Sequence, residues 1–149
     1  MWQNNSDVSL VIRTDFAHEP EWARIQSAIV EPQTEDEFMA YVEFVDDRAY
    51  EGLTASGLLE IVPDEADVTF AFLVDALTLT HSDRPILVVK LYDYVEGLAD
   101  EGKRPLYGAT FRVVPAEMWS VQNNLSIANM DWEEFADNVD DDGIFRGFS

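Results

Sequence analysis

The chain has 149 residues, with 30 Asp and Glu against 9 Lys and Arg, and a formal net charge of −21. It has no cysteine, which excludes thiol nucleophiles, disulfides, iron–sulfur clusters and thiolate zinc sites, and fits a reducing compartment. So acidic a chain is a poor match for nucleic-acid phosphates or anionic membranes and a good one for a basic protein, although solubility alone also accounts for the charge.

The length predicts one domain over 1–149 with a sizeable core. Met1–Asp7 has neither a basic nor an apolar signal region, and no apolar run approaches the ~18 residues of a membrane helix, so a cytoplasmic protein is expected. Val8–Thr14 reads as a strand that closes on Asp15. A helix follows, with Pro20 at its first position, Glu19 and Glu21 at its positive end, and Trp22, Ile25 and Ile29 on one face. Pro32 stops it, and Thr34–Glu37 has the capping-box pattern of a short helical turn.

The second strand, Ala40–Val45, closes on Asp46 and Asp47 and gives way to a loop at Arg48–Gly52. Thr54 caps a short helix that carries Leu58, Leu59 and Val62 and ends at Pro63. After the acidic turn Asp64–Asp67, a third strand, Thr69–Val74, closes on Asp75. The most apolar stretch, Ile86–Tyr92, closes on Asp93. Ten residues link it to Asp75, short for a parallel crossover, so it runs either parallel or antiparallel to its predecessor. Tyr94–Gly108 reads as a loop, and Thr110–Val114 as a strand that pairs back in a long hairpin at the sheet edge.

Pro115 opens what reads as the longest helix, buried along Met118, Val121, Leu125 and Ala128. Asn129–Asp131 breaks it. The last helix has Asp131 as N-cap, Glu134 three residues on, and Trp132, Phe135, Ala136 and Val139 on its buried face. The fold expected is therefore a single α/β domain: a mixed, mostly parallel sheet of about five strands, flanked by helices, with a C-terminal helix pair.

Ligands of open α/β sheets sit outside the carboxyl ends of the strands. Parallel strands would bring Asp15, Asp46, Asp47 and Asp75 to one edge, with Asp93 added only if its strand is also parallel. Asp15, Asp47 and Asp75 could then hold Mg²⁺, with His18 nearby as general base, in a metal-dependent enzyme or small-ligand-binding protein. The competing reading is that Asp is the ordinary turn and cap residue at such handovers. The phosphate-cradling patterns G-x-x-x-x-G-K and G-x-G-x-x-G are absent, as is a serine in a nucleophile elbow, and His81 reads as a turn residue.

Asn138–Gly143 begins like a calcium loop, but its twelfth position is Ser149 rather than glutamate. Asp140, Asp141 and Asp142 read instead as a solvated helix end, where acids oppose the dipole and call for a basic neighbour such as Arg146. Asn123 and Asn124 are poor helix formers inside a helix; with Gln122 they line a groove for a polar ligand or peptide, or simply face solvent.

The first functional expectation is a non-enzymatic interaction domain without a cofactor, immunity- or antitoxin-like or an accessory module. It would meet a basic protein through Asn123, Asn124, Asp140, Asp141 and Asp142. Finally, Thr110–Pro115, Glu117–Trp119, Asn123–Asp131 and Glu134–Ala136 resemble an uncharacterised bacterial domain family, seen in actinobacteria among others. Val11–Phe16, Tyr41–Asp47 and Leu79–His81 resemble it too. The resemblance covers nearly the whole chain except Tyr94–Gly108. It implies a single intact domain and no activity, cofactor or catalytic residue.

Overall fold

The structure, a computed structural model, describes residues 9–31, 40–61, 70–91, 109–126 and 132–147. Six strands form one sheet: β1 (Ser9–Arg13), β2 (Val42–Val45), β3 (Phe70–Val74), β4 (Ile86–Lys90), β5 (Thr110–Val113) and β6 (Ile144–Phe145). Their order is β2-β1-β3-β4-β5-β6. β1 lies parallel to β2 and β3, β4 is antiparallel to both of its neighbours, and β5 is parallel to β6. The direction left open by the short link after Asp75 is thus antiparallel, and that link contains one short helix, α3 (Ala76–Thr80).

Side chains alternate along each central strand and build two cores. Val11, Phe72, Val74 and Val88 face α1 (Glu19–Val30), α3, α4 (Met118–Ser126) and α5 (Trp132–Ala136). Leu10, Ile12, Leu73 and Val89 face α2 (Ala55–Ile61), with Tyr50 and Leu53 packed beside it. The split follows from handedness. The β1-to-β2 crossover moves outward across the sheet and the β2-to-β3 crossover moves back over β1. If both are right-handed, their helices must lie on opposite faces.

The predicted stripes are found where they are described. Trp22, Ile25 and Ile29 are buried on α1, Met118 and Val121 on α4, and Trp132 and Phe135 on α5. Three details differ from expectation. The first turn at Pro115 is a 3-10 turn (Pro115–Glu117), and the longest α-helix among the described residues is α1. The segment Arg48–Tyr50 is also a 3-10 turn rather than open loop. And β5 is not an edge strand: Ile144 and Phe145, too short a run to stand out in the sequence, pair with it as β6. The expected cap at Asp131, the turn at Asp64–Asp67, Asp93 and the Tyr94–Gly108 loop lie outside the described residues.

Candidate functional site

Strands β1 and β3 are neighbours, yet the chain leaves β1 toward β2 and leaves β3 toward β4. That makes the gap between their carboxyl ends the switch point of the sheet, the usual place for a ligand crevice. A cleft of about 530 Å³ opens there, floored by Leu73 and Leu87, walled by Phe16, Leu53 and Ala55, and rimmed by Asp15, Glu51 and Asp75. Gly52, at φ +78°, lets the loop before α2 turn back, and its N–H donates to the Thr14 carbonyl at 2.8 Å. The Thr14 hydroxyl donates in turn to the Val74 carbonyl at 3.1 Å, closing the β1 and β3 ends together.

Each predicted strand-end carboxylate among the described residues already has partners within the chain. Asp15 Oδ1 accepts from the Ala17 N–H at 2.7 Å, and both its oxygens lie 3.1 Å from His18 Nδ1. Asp47 caps its 3-10 turn by accepting from the Ala49 N–H at 2.9 Å. Asp46 accepts from Arg13 Nη1 at 3.1 Å. Asp75 caps α3 in a reciprocal box with Thr78 and accepts a bidentate pair from Arg112 at 2.7 and 3.0 Å. The structure therefore brings Asp15 and Asp75 to one cleft and leaves Asp47 outside its lining. Among the described residues, no three His, Asp or Glu side chains are grouped so as to hold a metal.

Burial would push the Asp75 carboxyl up, but the Arg112 guanidinium and the Thr78 donors outweigh it and hold the group below its ordinary 3.8. The folded state then binds fewer protons than the unfolded chain as pH falls below 3.8. The stabilisation from this group is complete above that value and is lost as pH drops through the lowered one. Asp75→Asn keeps a capping oxygen and removes the charge that pairs with half-buried Arg112. It should cost about 2 kcal/mol at neutral pH. Thermal unfolding from pH 7 to 2 is the check: the gap between wild type and variant should close only in the acid limb.

The other predicted group lies elsewhere. Gln122 is fully buried rather than solvent-facing: its Oε1 accepts from the Tyr41 N–H at 2.9 Å and its Nε2 donates to Ser9 Oγ at 3.3 Å. These contacts pin α4 to the amino ends of β1 and β2, the sheet edge opposite the cleft. Asn123 donates to Gln122 Oε1 and Asn124 to the Ser120 carbonyl, both half-buried.

Asp140–Gly143 is a tight turn between α5 and β6, not a calcium loop. Gly143 sits at φ +81°, and its N–H donates to the Asp140 carbonyl at 2.8 Å. The expected basic neighbour is Arg146, which pairs with Asp142 at 2.8 Å and with Asp83 and Asp140 at 2.7 Å each. Its Asp142 partner, then Asp83 and Asp140, hold the guanidinium even more firmly cationic than usual. Arg13, unremarked in the sequence, is the largest buried polar side chain among the described residues: it is 2% exposed and gripped by Glu19 at 2.7 Å and Asp46. A charged residue at an otherwise apolar strand position is the signal that would have found it.

These features define a class: a mixed-sheet α/β domain with a ligand-sized cleft at its switch point and with Arg13, Arg112 and Arg146 tied to its own carboxylates. Within that class the chain belongs to the family Domain of unknown function DUF6924, whose model matches residues 8–148. The resemblance drawn from the strand and helix motifs is to a family of this kind. No curated protein matches the chain.

Proposed function

We propose that this is a cytoplasmic, non-enzymatic binding domain that meets a basic protein partner through its acidic surface. The observation that carries the reading is where the positive charge goes. Arg13, Arg112 and Arg146 each close onto carboxylates of the same chain, so none of these three forms a basic patch that would repel a cationic partner, and the net charge is −21. A single-sign field of this kind steers a cationic partner and is screened by salt. Asp140, Asp141 and Asp142 stand exposed on the α5–β6 turn and belong to that surface. Among the described residues no helix is long and apolar enough to cross a membrane.

The test is capture from lysate on the immobilised full chain. A basic protein should be held at 150 mM NaCl, released by 500 mM, and held less well by the Asp140→Asn, Asp141→Asn, Asp142→Asn triple variant. Capture of neutral or acidic proteins only, or retention indifferent to salt and to the variant, would end this reading. Mg²⁺-dependent chemistry at Asp15, Asp47 and Asp75 draws less support, because Asp47 caps its own 3-10 turn outside the cleft that Asp15 and Asp75 share, and Asp75 is taken by its helix cap and by Arg112.

A further inference from the structure

We propose that the outer edge of β2 takes an extended, basic segment of a protein partner as an added strand. β2 ends the sheet, and among the described residues its one strand neighbour is β1. The register fixes which backbone groups are spare. Ser9 lies opposite Val42, and its N–H donates to the Tyr41 carbonyl at 3.0 Å. In a parallel pair this turns the backbone of Tyr41, Glu43 and Val45 toward β1, and the N–H and C=O of Val42 and Phe44 outward. Among the described residues nothing bonds to that outward row. The strand is also held in place from within. The Gln122 side chain takes the Tyr41 N–H at 2.9 Å, and Trp22 of α1 packs edge-on against Phe44 at 5.8 Å.

Charge selects the occupant. An open edge is a template for any strand, and proteins blunt it with shortness, proline or charge. β6, at the other end of the sheet, is two residues long. β2 has no proline, and its one charge is Glu43, which is exposed and belongs to no ion pair among the described residues. The charges that follow it are engaged: Asp46 with Arg13, Asp47 with the Ala49 N–H, and Arg48 with Glu51. Glu43 is therefore the carboxylate left for a partner. A second copy of this chain would bring another Glu43 and another −21 to the same edge, a repulsive pairing. A cationic strand meets the opposite field. Glu43 shares the α2 face with Val45, so a Lys or Arg of the added strand sits across from it there. Apolar side chains of that strand sit across from Val42 and Phe44, on the α1 face. The proposal rests on the basic-partner reading and gives that partner a backbone mode of recognition.

The experiment follows amide chemical shifts and hydrogen exchange of the full chain at 150 mM NaCl against three capped peptides: KVKVKVK, the same peptide N-methylated at its valines, and EVEVEVE. KVKVKVK should shift and protect the Val42 and Phe44 amides. N-methylation keeps the charge and removes the donors, so binding should weaken about tenfold. EVEVEVE should not bind. Glu43→Gln, at an exposed position, should weaken KVKVKVK about threefold. Absence of binding, equal binding of the methylated peptide, shifts centred on other acidic residues, or indifference to Glu43→Gln would each overturn the proposal. So would protection of Val42 and Phe44 that rises with protein concentration alone, which puts a second copy on the edge. The Asp140–Asp142 turn lies beside β6 at the opposite end of the sheet, so a failed peptide leaves capture of a basic protein at that turn untouched.

Discussion

Arg13→Ala is expected to lower the unfolding free energy by about 3 to 5 kcal/mol. The guanidinium lies at the carboxyl end of β1, with Nη2 on Glu19 of α1, Nη1 on Asp46 beyond β2, and Nε on the Asp15 carbonyl at 3.0 Å. It also stacks over Phe16 at 4.3 Å and Trp22 at 5.3 Å. One side chain thus joins two strands, a helix and the aromatic wall of the cleft. Its carboxylate partners are 67% and 49% exposed, so they rehydrate freely once it is gone. Most of the cost is therefore lost packing and a cavity beside Phe16 and Trp22, and Arg13→Met should recover part of it.

The partners behave in the opposite way. Glu19→Gln or Asp46→Asn alone should cost under about 1 kcal/mol, since each is an exposed half of the pair. The double variant strands a buried guanidinium and should cost more than the sum of the two. Denaturant midpoints of the five variants separate these cases. Additive carboxylate variants with a mild Arg13→Ala would mean that Arg13 leaves its pocket at little cost. Because Arg13 also holds the Asp15 carbonyl, the Ala variant should loosen the mouth of the cleft along with the fold.

The elements most legible in sequence were those set by local chemistry. Apolar runs of β-branched residues ended in Asp, and those Asp residues do cap turns: Asp47 on its 3-10 turn and Asp75 on α3. The helical stripes of α1, α4 and α5 followed from spacing alone. What escaped notice depends on distant contacts. The direction of β4 is decided by pairing with β3 and β5, not by the length of the link. Gln122 looked like one of three surface amides, yet it is the one that meets an orphan N–H at Tyr41 across 81 positions. Asp15 and Asp75 share a cleft while Asp47 does not, because the cleft lies between the ends of β1 and β3 and Asp47 follows β2, on the far side of β1. Nothing in a carboxylate's immediate neighbours distinguishes those outcomes.

Phe135→Ala should be as damaging as Arg13→Ala, at about 3 to 5 kcal/mol, but with a different spatial signature. Phe135 is fully buried and stacks near-parallel to Phe111 of β5 at 6.3 Å. It also meets Phe145 of β6 edge-on at 5.3 Å. Strand β6 is two residues long, and on its own it adds little: the Arg112 N–H donates to the Gly143 carbonyl at 3.1 Å and the Val114 N–H to Phe145 at 3.2 Å. The Arg146 ion pairs lie at the surface, where salt screens them. Apolar contact through Phe135 is therefore what makes the tail part of the domain. Native-state hydrogen exchange should show the Arg112 and Val114 amides losing protection in Phe135→Ala well before those of β1 and β3, and more so at high salt. A uniform loss across the sheet would instead mean that β6 and α5 unfold only with the whole domain. The acidic Asp140–Asp142 turn hangs between these two elements, so its geometry depends on that same aromatic cluster.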